Sequence, residues 1–374
     1  MYLKKDKKFK IVLTGGHAGA TAYAVIQAIR KKHESWDIYW LGAKSAVEGK
    51  NIKTLEAQVF PKIGVNFLPL VAGRIQTKFS PWTLPSLAKI PFGFLHSFYY
   101  IGKIKPRIVV SFGGYASFPV VVAGFLFRVP ILIHEQTASA GRANLASSYF
   151  STKVLLARSQ SASYFPKDKS ILVGNPVSEE VRSISPKKKM GKPMSLLITG
   201  GSRGSTKINA AVDKILEALL AKFKVVHQTG ELDFEKFSLR RDRLQNNLKE
   251  NYQVYPVIYP WDWYKFVKSA DIIVSRAGAN IVSEIMVAKR PSVLIPLAIA
   301  YKDEQSGNAY LAQKFGIAEI LKENKLSARA LFSEILKVVA NWERMVAIAL
   351  QKESPDVSSA EKFLQVIEKI LFEK

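Results

Sequence analysis

Two stretches with the same pattern decide the fold: FKIVLTGGHAG at residues 9–19 and MSLLITGGSRG at residues 194–204. In each, a short apolar run ends in Thr-Gly-Gly, and a segment with helical spacing of apolar residues follows. A buried strand, a glycine turn and a helix together form the repeating unit of a parallel sheet covered by helices. Because the pattern restarts 185 residues along the chain, the sequence predicts two such domains.

Further apolar runs alternate with helical segments and predict more strands of the same kind. They are residues 107–112, 130–134, 223–227, 271–275 and 291–296. We therefore predict an α/β protein with two doubly wound, Rossmann-like domains. The first domain is predicted to span residues 1–177 and the second residues 178–349, with a helix at about 350–374 that packs back on the first. The segment 183–193 is rich in Ser, Pro, Lys and Gly and is interpreted as a linker.

Composition narrows the classes of function. The 374 residues contain no cysteine, so disulfides, thiolate nucleophiles and cysteine zinc sites are excluded. Lys and Arg number 55 against 30 Asp and Glu, and the net charge of +25 favours nucleic acid, acidic lipid or phosphorylated partners. The apolar segment 84–104 contains Pro85 and Pro91, so we expect a soluble or peripheral protein rather than a spanning helix.

The first glycine turn is a candidate site, because parallel sheets bind ligands at the carboxyl ends of their strands. Gly15 and Gly16 have no Cβ and would let backbone N–H groups approach a ligand at a helix start. His17 follows them, and the positive end of a helix keeps the pKa of an imidazole low, which suits a general base. A tight structural turn and a structural histidine are the alternatives.

Other strand-end loops carry the chemistry of a nucleotide site. Residues 200–204 combine backbone donors, the Ser202 hydroxyl and a guanidinium, which suit a phosphate. The loop 275–280 begins a helix carrying Glu284, a carboxylate that can accept from two ribose hydroxyls. Polar residues also occur at 113–115, 134–137 and 303–305.

Several motifs are absent from the sequence. The spacing of the first turn is not G-x-G-x-x-G, and no G-x-x-x-x-G-K loop occurs, which disfavours a nicotinamide dehydrogenase and an ATPase. No Asp-x-Asp occurs, and the five histidines are not paired at metal-ligand spacing. We therefore predict no metal, and expect a helix N-terminus with Ser202 and an arginine to meet the charge of a diphosphate.

Seven short motifs follow one another over nearly the whole chain. They are TGGH at 14–17, SFGGY at 111–115, HEQ at 134–136 with Gly141 and Asn144, GNPV at 174–177, GGSxG at 200–204, SRxGA at 275–279 with Ser283-Glu284, and DxQ at 303–305 with Asn308-Ala309. In this order and spacing the sequence resembles the MurG-type glycosyltransferases of family 28, which have the GT-B fold. The chain departs from the family pattern at Thr137, Ser178 and Pro260.

The resemblance implies an enzyme of peptidoglycan synthesis. The reaction would be an inverting, metal-independent and cofactor-free transfer of N-acetylglucosamine from UDP-N-acetylglucosamine to the 4-hydroxyl of undecaprenyl-pyrophosphoryl-N-acetylmuramoyl-pentapeptide. His17 would be the base and Glu135 a second catalytic residue, with the diphosphate at Ser202 and the ribose at Glu284. The other substrate-binding residues implied are Thr14, Gly15, Gly16, Gly114, Tyr115, Thr137 and Asn144 in the acceptor domain, and Arg276, Gly278, Ala279, Asn280, Ile281, Gln305 and Asn308 in the donor domain.

A membrane-bound acceptor implies a peripheral enzyme at the cytoplasmic face of the membrane. Residues 74–107 place Phe79, Trp82 and other apolar side chains among lysines and predict the segment that docks on an anionic surface, unless these aromatics belong to the core. Two other functions stay open. A related GT-B enzyme could use a diacylglycerol acceptor, and a non-catalytic nucleic-acid binder would explain the charge. We expect no nucleic-acid partner, because such a binder would interleave aromatic and basic residues on a sheet or groove, whereas the basic excess here is mostly lysine at the N-terminus, in the linker and on helices.

Overall fold

The computed structural model describes residues 8–16, 18–45, 53–71, 73, 83–201, 203–298 and 303–373. The chain folds as two compact units. Unit 1 comprises Met1–Ser178 and Ser358–Lys374, and unit 2 comprises Glu179–Val357.

Within the described residues of unit 1, seven parallel strands form one sheet in the order β3-β2-β1-β4-β5-β6-β7. The strands are β1 Lys10–Thr14, β2 Asp37–Gly42, β3 Asn66–Pro69, β4 Ile108–Ser111, β5 Ile131–Glu135, β6 Lys153–Leu156 and β7 Ser170–Leu172. The helices between them are α1 Gly19–Lys32, α2 Leu55–Val59, α3 Thr83–Ile104, α4 Ser117–Leu126 and α5 Arg142–Ser148. Strand β1 pairs with both β2 and β4, so the strand order reverses between β1 and β4. Such a switch point opens a crevice at the carboxyl ends of the two strands.

Unit 2 repeats this plan with six parallel strands among its described residues, in the order β10-β9-β8-β11-β12-β13. The strands are β8 Met194–Thr199, β9 Phe223–Gln228, β10 Tyr252–Tyr255, β11 Ile272–Ser275, β12 Ser292–Leu294 and β13 Ala318–Ile320. The helices are α6 Glu179–Arg182, α7 Thr206–Asp213, α8 Leu216–Leu220, α9 Phe234–Asp242, α10 Asn246–Lys249, α11 Pro260–Ser269, α12 Ala279–Ala288, α13 Glu304–Phe315 and α14 Ala328–Leu350. The switch point lies between β8 and β11, where Thr199 pairs with Ser275. The prediction of two doubly wound α/β domains is confirmed.

The last helix, α15 at Ser359–Phe372, belongs to unit 1 and packs on α1. Its Glu368 accepts from Lys32 at 2.8 Å and lies 2.6 Å from His33 Nε2. Phe363 is buried and stacks on Phe112, just beyond the end of β4. The C-terminal helix therefore packs against the residue that follows β4, next to the switch point of unit 1.

The segment 183–193 is not a linker, because it lies inside unit 2. Its Lys187 Nζ and Gly191 N–H reach the buried carboxylate of Asp271 at 2.6 and 3.1 Å. Burial opposes the charge on Asp271, but Lys187 and backbone donors of Ser195 and Gly191 hold its pKa below the ordinary value. Lys187 and Gly191, whose residue types suggested a linker, thus provide hydrogen bonds to a buried carboxylate.

No helix in the described part of the chain is both long and apolar enough to cross a bilayer.

Candidate functional site

The two glycine turns of unit 1 pack against each other at its switch point. Gly16 N–H donates to Gly113 O at 2.9 Å. Gly113 and Gly114 have φ angles of +80° and +90°, which favour glycine. A Cβ on Gly114 would lie 2.8 Å from Gly16 N, so the turn at Gly114 has no room for a side chain at this crossing. The close approach leaves backbone rather than side chains at the base of the crevice.

The residues beside these turns are placed differently. Thr14 is fully buried, and its hydroxyl donates to Leu41 O at 2.8 Å, so this side chain serves the sheet. Tyr115 is half-buried in the loop before α4. His17 lies outside the described residues. The residue after it, Ala18, donates its N–H to the buried Glu56 carboxylate at 3.0 Å, so the backbone just before α1 is anchored.

Glu135, at the end of β5, organises the loop that follows it. One carboxylate oxygen accepts from the N–H and hydroxyl of Thr137 at 3.1 and 3.0 Å. The other accepts from Gly141 N–H at 3.0 Å and Asn144 Nδ2 at 2.9 Å. With two donors on each oxygen, Glu135 holds residues 137–144 in one shape. These contacts assign it a positioning role, and its catalytic role stays a prediction.

Asn144 joins this loop to the glycine turn. Its Nδ2 also donates to His134 O at 3.1 Å. Its Oδ1 is buried and has no hydrogen-bond partner in the described part of the chain. A Cβ on Gly113 would lie 2.8 Å from that oxygen, so Asn144 packs directly on the glycine backbone. The structure therefore brings Glu135, Thr137, Asn144 and the Gly113-Gly114 turn into one cluster.

The corresponding turn of unit 2, residues 200–204, is equally tight. Gly201 and Gly204 have φ angles of +85° and +74°, and a Cβ on Gly204 would lie 1.9 Å from Thr229 O. Thr199 Oγ1 accepts from Gly201 N–H and donates to Gln228 Oε1, both at 3.0 Å. Ser202 lies outside the described residues. The turn leads into α7, whose N-terminus is capped by the Ser205 hydroxyl.

Arg276 connects this turn to the next strand end. Its Nη2 donates to Ser205 Oγ at 2.9 Å and to Glu323 Oε1 at 2.6 Å, and its Nη1 donates to Ile295 O at 3.3 Å. The guanidinium is nearly buried by these contacts. These contacts make Arg276 a brace between loops, and its role in substrate binding stays a prediction.

The start of α12 is a candidate site for an anion. Gly278 is the N-cap residue and, as a glycine, provides no side-chain cap. Ala279, Asn280 and Ile281 form the first turn and are half-buried. The first N–H groups of a helix have no intrahelical partner and carry partial positive charge, so they attract anions.

Glu284 lies one turn further along α12, half-buried, with Oε2 2.8 Å from Trp263 Nε1 on α11. Burial raises the pKa of Glu284 to about 7, although the indole hydrogen bond opposes this effect. On the other side of the helix start, Gln305 Oε1 accepts from Leu297 N–H at 3.0 Å and Asn308 Nδ2 donates to Ala277 O at 3.2 Å. Both α13 side chains thus hold the loops around α12.

Sequence reasoning missed Glu56, Glu323 and Trp263. Glu56 lies on the short helix α2 and Glu323 follows β13, so no local pattern connects either to a glycine turn. Trp263 had one available signal, an aromatic cluster at residues 259–264 beside Pro260. The described residues hold no group of three or more His, Asp or Glu side chains suited to a metal ion.

Comparison with known protein families assigns both halves of the chain. Residues 11–156 match the glycosyltransferase family 28 N-terminal domain, and residues 195–369 match the family 28 C-terminal domain. The chain belongs to glycosyltransferase family 28. The family prediction is confirmed, and with it the prediction that the protein is a glycosyltransferase.

Individual family members are similar over nearly their whole length. An enzyme of Clostridium tetani named UDP-N-acetylglucosamine--N-acetylmuramyl-(pentapeptide) pyrophosphoryl-undecaprenol N-acetylglucosamine transferase is 30% identical over 371 residues, which cover 97% of this chain and 98% of that protein. A Bacillus cereus transferase of the same name with the suffix 2 is 30% identical over 352 residues, covering 92% and 95%.

Solved structures share the fold. The crystal structure of Acinetobacter baumannii MurG has a TM-score of 0.67 at 24% identity and covers 97% of this chain and 100% of that one. A UDP-N-acetylglucosamine 2-epimerase described as putative, from Listeria monocytogenes, has a TM-score of 0.68 at 13% identity and covers 98% of each chain. At these identities the likeness shows the GT-B fold alone.

Proposed function

We propose that this family 28 enzyme transfers N-acetylglucosamine from UDP-N-acetylglucosamine to the 4-hydroxyl of undecaprenyl-pyrophosphoryl-N-acetylmuramoyl-pentapeptide. In this reaction the acceptor oxygen forms a bond to C1 of the sugar, and the bond from C1 to the UDP oxygen breaks with inversion. The acceptor gives up one proton, and UDP leaves as an anion. The names of the Clostridium tetani and Bacillus cereus relatives support this choice of donor and acceptor.

The observation that carries the proposal is the arrangement at the switch point of unit 2. A helix start with the glycine N-cap Gly278, a glycine turn tied to it through Arg276, and the Glu284 carboxylate all follow adjacent strand ends. Helix amides suit the diphosphate, and an ionised Glu284 suits two ribose hydroxyls. Ser202 is assigned to the diphosphate from the sequence, and the sugar is assigned to Ala279, Asn280, Ile281 and Gln305.

Unit 1 is proposed to hold the acceptor. The glycine turns and the loop organised by Glu135 lie together at the switch point of its sheet and are held by hydrogen bonds. His17 is assigned the proton of the acceptor 4-hydroxyl. Gly16 N–H donates to Gly113 O and Ala18 N–H donates to the Glu56 carboxylate, so the described residues that flank position 17 are both held by hydrogen bonds.

We also propose that unit 1 attaches peripherally to the cytoplasmic face of the membrane. Phe92, Leu95 and Tyr99 recur at spacings of three and four along α3, and Leu126 and Phe127 follow at the end of α4; all five are exposed, Leu95 by 63%. We call these five residues the apolar face.

Phe127 also lines a cavity of about 390 Å³ with Lys105, Arg107 and Arg128 and no acidic residue. Cations beside apolar side chains suit an anionic leaflet. Phe79 and Trp82, predicted for the same role, lie outside the described residues.

A transfer assay with a panel of acceptors tests the proposed reaction. Purified protein is given UDP-N-acetylglucosamine with the undecaprenyl-linked muramoyl-pentapeptide, with diacylglycerol, or with no acceptor, in excess chelator. We expect glycosylated muramoyl lipid as the product. A diacylglycerol product would select the other acceptor class, and tight salt-sensitive binding of oligonucleotides without any transfer would favour the nucleic-acid binder.

A further inference from the structure

Trp263 and Glu284 form a polar contact between α11 and α12. The indole N–H donates to Glu284 Oε2 at 2.8 Å, and in the described part of the chain no other hydrogen bond to this carboxylate is present. An indole N–H can only donate, so Oε2 is the acceptor in this contact and is held facing Trp263. The other oxygen, Oε1, makes no hydrogen bond to any residue that the structure describes.

In the described part of the chain, no charged side chain contributes to the pKa shift of Glu284. On α11, Asp262 and Lys265 pair with each other at 2.7 Å. The helix α6, which packs on α11 and α12, carries Glu179, Glu180 and Arg182, and α13 carries Glu304 and Lys314. None of these hydrogen-bonds to Glu284. Burial, which favours the neutral acid, and the Trp263 donor, which favours the carboxylate, are the two influences on its pKa.

We propose that Trp263 is a positioning residue for nucleotide binding: its indole holds Oε2 of Glu284 so that the charged carboxylate presents Oε1 to the ribose hydroxyls. This inference rests on the proposed function, which assigns the ribose to Glu284. A carboxylate without the indole would lose both its fixed orientation and a donor that stabilises its charge.

Two substitutions on the same helix separate this role from simple packing. Trp263→Phe keeps an aromatic ring of similar shape but removes the N–H group. Trp261→Phe is the matched control, because Trp261 stacks on Tyr259 at 4.9 Å and makes no hydrogen bond to Glu284. Glu284→Gln removes the titrating group and reports the pH dependence that UDP itself contributes.

The experiment is calorimetric binding of UDP to the four full-length proteins between pH 5.5 and 9. For the wild type we expect affinity to rise with a midpoint near pH 7, where Glu284 ionises. Trp263→Phe should bind UDP about fivefold more weakly at pH 7, with its midpoint raised by about one pH unit. Trp261→Phe should follow the wild type, and Glu284→Gln should bind weakly without this midpoint.

The outcomes separate the positioning role of Trp263 from the assignment of the ribose to Glu284. An unchanged midpoint in Trp263→Phe, with binding lost in Glu284→Gln, overturns the positioning role and leaves the ribose assignment intact. Wild-type binding by Glu284→Gln overturns the ribose assignment. If Trp263→Phe does not fold, the indole N–H resonance of Trp263 in the ¹⁵N-labelled wild type answers instead. It should shift with a midpoint near pH 7, and a pH-independent resonance overturns the inference.

Discussion

Arg276 and Glu323 form a buried ion pair in unit 2, with 2.6 Å between Nη2 and Oε1. The side chains are only 11% and 3% exposed. Glu323 also accepts from Lys207 at 3.0 Å and from Ala298 N–H at 3.3 Å through its other oxygen. The pair therefore joins the segments after β11 and β13, and its bonds to Ala298, Ser205 and Lys207 add the loop after β12 and the start of α7. These segments together frame the proposed diphosphate site.

Removing Glu323 should destabilise the protein strongly. In Glu323→Ala the Arg276 guanidinium stays buried without its partner, which typically costs about 3 to 5 kcal/mol of unfolding free energy. Urea denaturation followed by circular dichroism measures the loss. The control is Glu319→Ala, which breaks a more exposed pair with Lys337 and should cost less than about 1 kcal/mol. Equal losses in the two variants would contradict the bracing role.

Acid should remove the same stabilisation. Burial opposes the charge on Glu323, but Lys207, Arg276 and Ala298 N–H hold its pKa below the ordinary value. Its contribution is therefore fully present above the pKa of an unfolded glutamate, about 4.3, and is lost as the pH falls through the lower folded value. The difference in unfolding free energy between wild type and Glu323→Gln should shrink from pH 7 to pH 3. A constant difference would show that the charge is irrelevant.

Glu135→Gln should impair the acceptor side of the reaction. The amide nitrogen that replaces one carboxylate oxygen cannot accept, so either Thr137 or the pair Gly141 and Asn144 loses its acceptor. We expect a roughly 10-fold fall in kcat/KM for the lipid acceptor with unchanged UDP affinity. Glu34→Gln, at an exposed position of unit 1, should retain wild-type kinetics. Loss of UDP binding in Glu135→Gln would place its role elsewhere.

His17→Ala tests the proposed base directly. A positioned general base contributes about 10²- to 10⁴-fold, so kcat should fall by that order while UDP affinity stays unchanged. The acid limb of the pH–rate profile should disappear as well, because it reports protonation of the base. His96→Ala is the matched histidine control and should leave kcat near the wild-type value. Full activity of His17→Ala would exclude the assignment.

The apolar face should govern attachment to membranes. Leu95→Ser with Leu126→Ser removes two exposed apolar side chains, each contributing roughly 1 to 2 kcal/mol when it leaves water. We expect at least a 10-fold loss of co-sedimentation with phosphatidylglycerol vesicles. Leu239→Ser, at an exposed position in unit 2, is the control. Arg128→Gly should weaken binding mainly at low salt. At high salt, screening already weakens the attraction between Arg128 and a lipid phosphate, so its loss matters less. Unchanged sedimentation of the double variant would place the docking surface elsewhere.

The sequence by itself determined the fold class and the order of the units. The repeated strand and glycine turn at residues 9–19 and 194–204 are local signals, because a strand end and a turn depend on neighbouring residues. All seven apolar runs form strands, although the run at 291–296 forms only the three-residue strand β12. The strands β3, β6, β7, β10 and β13 were not predicted.

Only the tertiary structure decided how the polar residues of the site are used. Local sequence could mark Glu135 and Arg276 as polar residues near strand ends, but not their partners. Glu135 is bound by Thr137, Gly141 and Asn144 of the loop that follows its own strand. Arg276 is bound by residues that follow other strands, Ser205, Ile295 and Glu323. Asp271 is a similar case. It binds Lys187 of the segment that the sequence suggested was a linker, and this segment belongs to unit 2. Hydrogen bonds and burial depend on which distant segments meet, and parallel strand order brings those segments together. Trp263 and Glu284, 21 residues apart on two helices, meet for that reason alone.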